Sequence, residues 1–362
     1  MINSEGRNYY LTPLDIYDTL MAKERKLSIS TMIQLAKKKG ILLSGQDSRE
    51  TLARYISSIP FDYGDIEELY NMIETDQRRE KTTNSTVKKT ISFDSVKAAV
   101  DKLNEEREIF GEVYSIASNP NSPTVIIDAK YRETDFAKAR MLQTTKREAR
   151  IELSSKTKDT LIRFPANEKC TQIVNALISN IEKDTGQNIE VEKVELTNIT
   201  TPAKRNKFFF NLMDGIEGMP TKDVLSVKMV PMNPEEADGE PEENAQITSL
   251  IRRVAIDGQA ITASKEYQSL VGKGFFISSI IWQANDTTTN PNTLVELEAG
   301  FTVQSECKDF KYSVKGTYAF EKEAGGFSLH RKPASELDRI KYLSLIEKAA
   351  KSSLDGVSND KD

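Results

Sequence analysis

Apolar positions in the first eighty residues recur at helical spacing. Leu14, Ile16, Tyr17, Leu20 and Met21 fall on one face of a helix over 12–26, which Thr12 can cap and Pro13 suits in its first turn. Met32, Ile33, Leu35 and Ala36 predict a second helix, starting at Ser28 or Ser30 and running to Lys39, with Gly40 as its stop. Leu52, Tyr55 and Ile56 place a third after Asp47 and Ser48, closed by Pro60, and a fourth covers 65–80. The run from Lys81 to Thr86 is polar with nothing to bury, and 81–91 therefore reads as a linker behind a helical module at 1–80.

Past a helix at 92–108 the period drops to two. Strands are predicted at 113–116, 124–127, 149–153 and 160–164, then a strongly amphipathic helix at 170–183, a helix opened by Pro202 that runs through Met213, and a strand at 224–229. Residues 234–245 are acidic and poor in apolar side chains, as a disordered surface loop would be. Further strands follow at 254–261, 274–283, 294–304, 312–320 and 326–330, with a closing helix at 333–354 and a polar, disordered tail at 355–362. The expected fold class is α+β: a small helical module, an α+β domain at 92–233 and a β-rich α+β region with a second sheet at 246–354, the sheets mainly antiparallel.

At 362 residues the chain is long for one core and natural for two folded regions. No stretch reaches the ~18 apolar residues of a membrane helix, and the opening residues lack an apolar signal core, so the expectation is a cytoplasmic protein with no membrane partner. Two distant cysteines, Cys170 and Cys307, rule out a disulfide framework, and the single histidine, His330, reads as a strand-end surface residue. The net charge of −5 means that nucleic-acid binding has to come from a local patch. No glycine-rich phosphate loop is present: Val271-Gly272-Lys273-Gly274 lacks the required spacing, so no nucleotide hydrolysis is expected.

One local patch is legible. An apolar helix ends in Lys37-Lys38-Lys39-Gly40, Ile41 follows the glycine directly, Ser44-Gly45 makes a turn, and a short helix led by Arg49 carries Leu52 and Ile56 four apart. Gly40 and Gly45 allow the positive φ such a loop needs, and Leu35, Ile41, Leu52 and Ile56 can close a miniature core with help from the helices on either side. Residues 28–58 resemble the SAP family of helix–extended loop–helix DNA-binding modules. The interval from Gly45 to Leu52 is about two residues longer than the commonest spacing, and Asp47 adds a negative charge; LEM-like relatives share these features, and some of those bind proteins. The resemblance implies contact with duplex DNA through phosphates, with Ser48 and Arg49 at the start of the second helix, Lys37, Lys38 and Lys39 as a second cluster, and Arg54 in addition.

The strand at 124–127 runs into Asp128-Ala129-Lys130, and with Glu112 upstream this Asp-x-Lys is the pattern by which nucleases of the restriction-endonuclease type hold Mg²⁺ and activate water. A strand end with a surface ion pair gives the same pattern. Lys138, Arg140, Lys146, Arg147 and Arg150 form another basic stretch, and Lys204, Arg205 and Lys207 precede Phe208, Phe209 and Phe210; solvated charge and core phenylalanines are the plainer readings. The expected function is a DNA-binding accessory protein without a cofactor, whether or not its body is catalytic, with a protein partner or a second copy of itself, in a role such as defence against foreign DNA. A Mg²⁺-dependent nuclease and a purely structural subunit are the alternatives.

Overall fold

The computed structural model describes residues 7–73, 80–107, 111–119, 122–155, 158–232, 254–257, 264–321 and 325–359. The fold is α+β, with a large, mostly antiparallel sheet. In chain order the elements are α1 (Pro13–Ala22), α2 (Ile29–Lys38), α3 (Arg49–Ser57), α4 (Tyr63–Ile73), β1 (Thr82–Val87), α5 (Phe93–Arg107), β2 (Val113–Ile116), β3 (Thr124–Thr134), β4 (Thr144–Ser155), β5 (Thr160–Pro165), α6 (Glu168–Thr185), β6 (Val191–Glu192) and α7 (Pro202–Asp214). There follow β7 (Thr221–Pro231), β8 (Val254–Asp257), α8 (Lys265–Gly272), β9 (Phe275–Asp286), β10 (Thr293–Val303), β11 (Lys308–Tyr318), β12 (Phe320–Glu321), β13 (Gly326–Phe327) and α9 (Glu336–Asn359). Contacts divide the chain into two compact units, one from the described parts of Met1–Arg79 and Phe93–Ile151, the other from Glu80–Ser92 and the described parts of Glu152–Asp362.

In the first unit the caps set the helix starts. Thr12 and Asp15 form a reciprocal capping box on α1, and the Ser28 and Ser48 side chains each accept from the backbone N–H three residues on, at 3.2 Å. Gly40 ends α2 at a φ of +75°, where a side chain would be strained; Gly45 has no such φ. Leu20, Leu27, Met32, Leu52, Ile56 and Leu69 share one core, so the 28–58 unit is closed by α1 and α4 as well as by itself, and Met141 and Leu142 from a short turn ahead of β4 join it. Beyond these helices, the Asn104 side chain of α5 bonds both backbone groups of Tyr114 at 2.9 Å, fixing α5 on β2.

In the second unit the sheet order is β5-β1-β11-β10-β9-β7-β8, each neighbouring pair antiparallel, with β6 against the far end of β1. One face of the sheet carries Trp282, Leu297, Phe301 and Tyr312, all fully buried with Phe208 and Phe209 of α7 and Tyr342 and Ile346 of α9. Phe208 meets Phe209 and Phe310 edge to face at 5.3 and 5.8 Å, so the three-phenylalanine run of α7 is core.

Several expectations change. The polar run after residue 80 is no linker: it forms β1, paired with β5 through Thr82–Val87, because a strand inside a sheet has its polar backbone satisfied by neighbours and needs few apolar side chains. The long strands after the acidic segment join the same sheet instead of building a second one, β9 pairing with β7 and β11 with β10 and β1, while the short β12 and β13 form a separate two-stranded pair. The tail expected at 355–362 is helical to Asn359, with Val357 only 1% exposed. The acidic 234–245 segment, residues 258–261 of an expected strand, 74–79 of the fourth helix and 360–362 lie outside the described residues.

Charged groups tie this second unit together. Arg163 on β5 donates to both oxygens of Glu347 on α9 at 2.6 and 2.8 Å, to Glu152 at 2.8 Å and to Ser344 at 2.8 Å, and Tyr312 of β11 donates to Glu347. Asp286, at the end of β9 and 0% exposed, accepts from Lys341 at 2.6 Å, Tyr342 at 3.0 Å and Thr288 at 2.6 Å. Burial pushes its pKa up, but these hydrogen bonds outweigh burial and hold it below the ordinary carboxylate value.

Removing one partner of the Arg163–Glu347 pair strands a buried charge, so Arg163→Ala is expected to cost about 3–5 kcal/mol in urea unfolding, and Arg163→Met with Glu347→Leu less than either single change. A cost for Arg163→Ala under about 1 kcal/mol would contradict this. Because the folded pKa of Asp286 is depressed, its contribution is complete above the unfolded value of about 3.9 and is lost as pH falls through the folded one. Asp286→Asn should therefore flatten the acid limb of a stability–pH curve; an unchanged limb argues otherwise.

Candidate functional site

The six residues expected at DNA do not form one surface. Lys38 and Lys39 line a small cleft with Ile56 and Ile59 at the C-terminal end of α3, whereas Ser48 and Arg49 stand at its N-terminal end, about 13 Å away along a nine-residue helix. Lys39 is held by Asp65, with Asp62 at 3.8 Å, and the Asp65 hydrogen bond raises its pKa, which makes it a fastener between α2 and α4. Arg49 turns inward and donates to the carbonyl of Leu20 at the end of α1. That satisfies a helix-end carbonyl and takes the guanidinium out of the proposed phosphate contact.

The other four stay outward. Lys37 is exposed with no ion-pair partner among the described residues. Lys38 is 60% exposed and pairs with Glu68; Arg54 is 76% exposed and pairs with Glu50 at 2.8 Å, one helical turn back. Exposed pairs of this kind are weak and exchange readily for a phosphate. Ser48 is exposed and caps α3.

The Asp-x-Lys site is not assembled. Val113 pairs with Lys130 and Tyr114 with Ala129, so alternation puts Glu112 on the face of Tyr114, Ala129 and Tyr131, and Asp128 and Lys130 on the other. Glu112 is 7% exposed and accepts from the Tyr114 hydroxyl, whereas Asp128 accepts from Arg150 at 3.2 Å and Lys130 stands 3.5 Å from Glu148. Two carboxylates on opposite faces of a strand pair cannot share one ion. Among the described residues no group of three or more His, Cys, Asp or Glu side chains is arranged to hold a metal.

In the other basic runs, too, charges are engaged within the fold. Lys138 and Arg147 pair with Asp135 and Glu133 at 3.0 and 2.9 Å, and Arg140 lies 3.7 Å from Asp15. Arg205 is 4% exposed, bonds the carbonyls of Ile199 and Ser305 and sits over the Phe276 ring. His330 is exposed, and both cysteines are buried and outside any disulfide, Cys307 with its thiol pushed up to about 12 by burial.

The structure assembles a basic cluster that local sequence does not display. Across the second unit's sheet, Lys228, Ser279, Gly300 and Lys311 lie in register on the face opposite Trp282 and Phe301. Lys81 and Lys315 flank the row and share Glu298, Lys315 at 3.7 Å. Lys228 and Lys311 have no ion-pair partner among the described residues. Burial first, then the charges of Lys81 and Lys228, hold the Lys311 ammonium below its ordinary pKa. The one legible signal was the alternation of Lys311, Ser313 and Lys315 inside an apolar strand; Lys81 and Lys228 come from remote segments.

Comparison with protein-family models and with curated proteins finds no match to this chain. No helix among the described residues is long and apolar enough to cross a membrane.

Arg49→Ala should lower the stability of the N-terminal helices by about 1–3 kcal/mol through loss of a charged hydrogen bond, while Lys37→Ala leaves the unfolding midpoint unchanged. Equal midpoints for the two variants would return Arg49 to the surface.

Proposed function

We propose that the protein is a DNA-binding accessory protein whose N-terminal helices tether it to duplex DNA through phosphates, the rest of the chain making partner or further nucleic-acid contacts. The observation that supports this best is that Lys37 and Lys38 stand exposed at the end of α2 on a helical unit whose core is otherwise closed. Two cations at one helix end and, apart from them, the exposed N-terminus of α3 with Arg54 on that helix make separate phosphate contacts that read charge and not bases. The contact set is narrowed to Lys37, Lys38, Ser48 and Arg54; Lys39 and Arg49 position the helices that carry them.

Binding of this kind is salt-dependent in proportion to the phosphates neutralised. Lys37→Gln with Lys38→Gln is expected to weaken duplex binding at low salt and to reduce the slope of log K against log salt by about two. An unchanged affinity and slope, measured by fluorescence anisotropy on the full chain, would remove the reading.

A further inference from the structure

A cavity of about 200 Å³ opens beside the lysine row of the sheet. It arises from incomplete pairing of β1. On one edge that strand meets β11 at Thr82 and β6 at Thr86 and Val87, with no strand partner between among the described residues. The Ala166 N–H bonds the carbonyl of Lys81, and the Lys88 N–H bonds the carbonyl of Glu190, so odd residues of β1 address β5 and even ones the opposite edge. The backbone of Asn84 therefore faces the opening, which Asn84 lines.

The lining is chemically mixed. Phe164 and Val194 give it an apolar wall, and Thr171 and Thr302 bring hydroxyls. Asp309 sits at its rim with a φ of +56°, a backbone conformation that costs energy in a non-glycine residue. Thr82 pairs with Tyr312, so alternation puts Thr83, another lining residue, and Lys311 together on the other face, and the Thr83 hydroxyl donates to the Phe310 carbonyl at 2.6 Å. The cavity and the lysine row thus meet on one face. Within the row, Gly300 lets β9 and β10 approach closely, since an added Cβ would stand 2.6 Å from Ser279.

We propose that this cavity and the adjoining lysines bind a nucleoside phosphate. The apolar wall takes the base, the Asp309 carboxylate accepts from sugar hydroxyls, and Lys311, Lys228 and Lys193 hold the phosphates. The lysine crowding supports this: burial and the charges of Lys81 and Lys228 depress Lys311, and a bound anion relieves the repulsive part. The inference is independent of DNA tethering through the N-terminal helices.

Isothermal titration of the full chain with ATP, with pyrophosphate and with an octathymidylate separates the sources of phosphate. ATP is expected to bind more tightly than either of the others. Lys311→Ala with Lys228→Ala should weaken ATP binding at least tenfold, and Lys193→Ala severalfold, with melting curves that match the parent. Should the double variant fold poorly, the Lys193→Ala result carries the test alone. Absence of ATP binding overturns the proposal, as does pyrophosphate binding as tightly as ATP, because the cavity then contributes nothing. Tighter binding of the octathymidylate than of ATP also overturns it, replacing it with a single-strand platform. Lys37→Gln with Lys38→Gln must leave ATP affinity unchanged, which keeps this outcome separate from that of DNA tethering.

Discussion

The Arg163 guanidinium is the point on which the second unit's architecture turns. It lies on β5, a strand whose alternate residues Ile162 and Phe164 are buried on one face, so its own side must be closed by groups able to accept from a guanidinium with several N–H donors. Glu347, Ser344 and Glu152 do so, and Glu347 in turn accepts from the fully buried Tyr312. One guanidinium thereby specifies where α9 lies on the sheet and which strand it crosses. An apolar contact would stabilise that packing without selecting its register; a bidentate pair has one geometry.

The same use of charge recurs in the N-terminal helices. Lys39 with Asp65 and Arg49 with the Leu20 carbonyl set the spacing of α2, α3 and their neighbours, and Arg7 does likewise with Glu67 and Asn71 on α4. Cations that count toward a positive patch along the chain are consumed in building the fold. Among those left for a partner are Lys37, Lys38 and Arg54 in the N-terminal helices and Lys193, Lys228 and Lys311 in the second unit.

Strand β1 shows how far composition misleads. A run of threonines, asparagine and serine has no apolar stripe, yet it lies inside the sheet because its hydrogen-bonding edges are taken by β5, β11 and β6. Where those partners leave a gap, at Asn84, the sheet opens into the cavity described above. The unpaired stretch of a polar central strand and the cavity beside it are here the same structural fact.

Sequence alone determined most of what depends on neighbours within a turn. The caps at Thr12, Ser28 and Ser48, the stop at Gly40, the amphipathic stripe of α6 and the antiparallel, α+β character all follow from spacing and residue type, and all are present. Tertiary structure alone decided the placement of β1, the joining of β7 to β9 in one sheet, and the fate of each charge. Glu112 and Asp128 were separated by strand alternation once their register was set, and Arg49 was drawn to a helix end 29 positions away in the chain. The physical reason is range: capping and periodicity act over a few residues, while strand register and ion pairing bring together segments that no local pattern links.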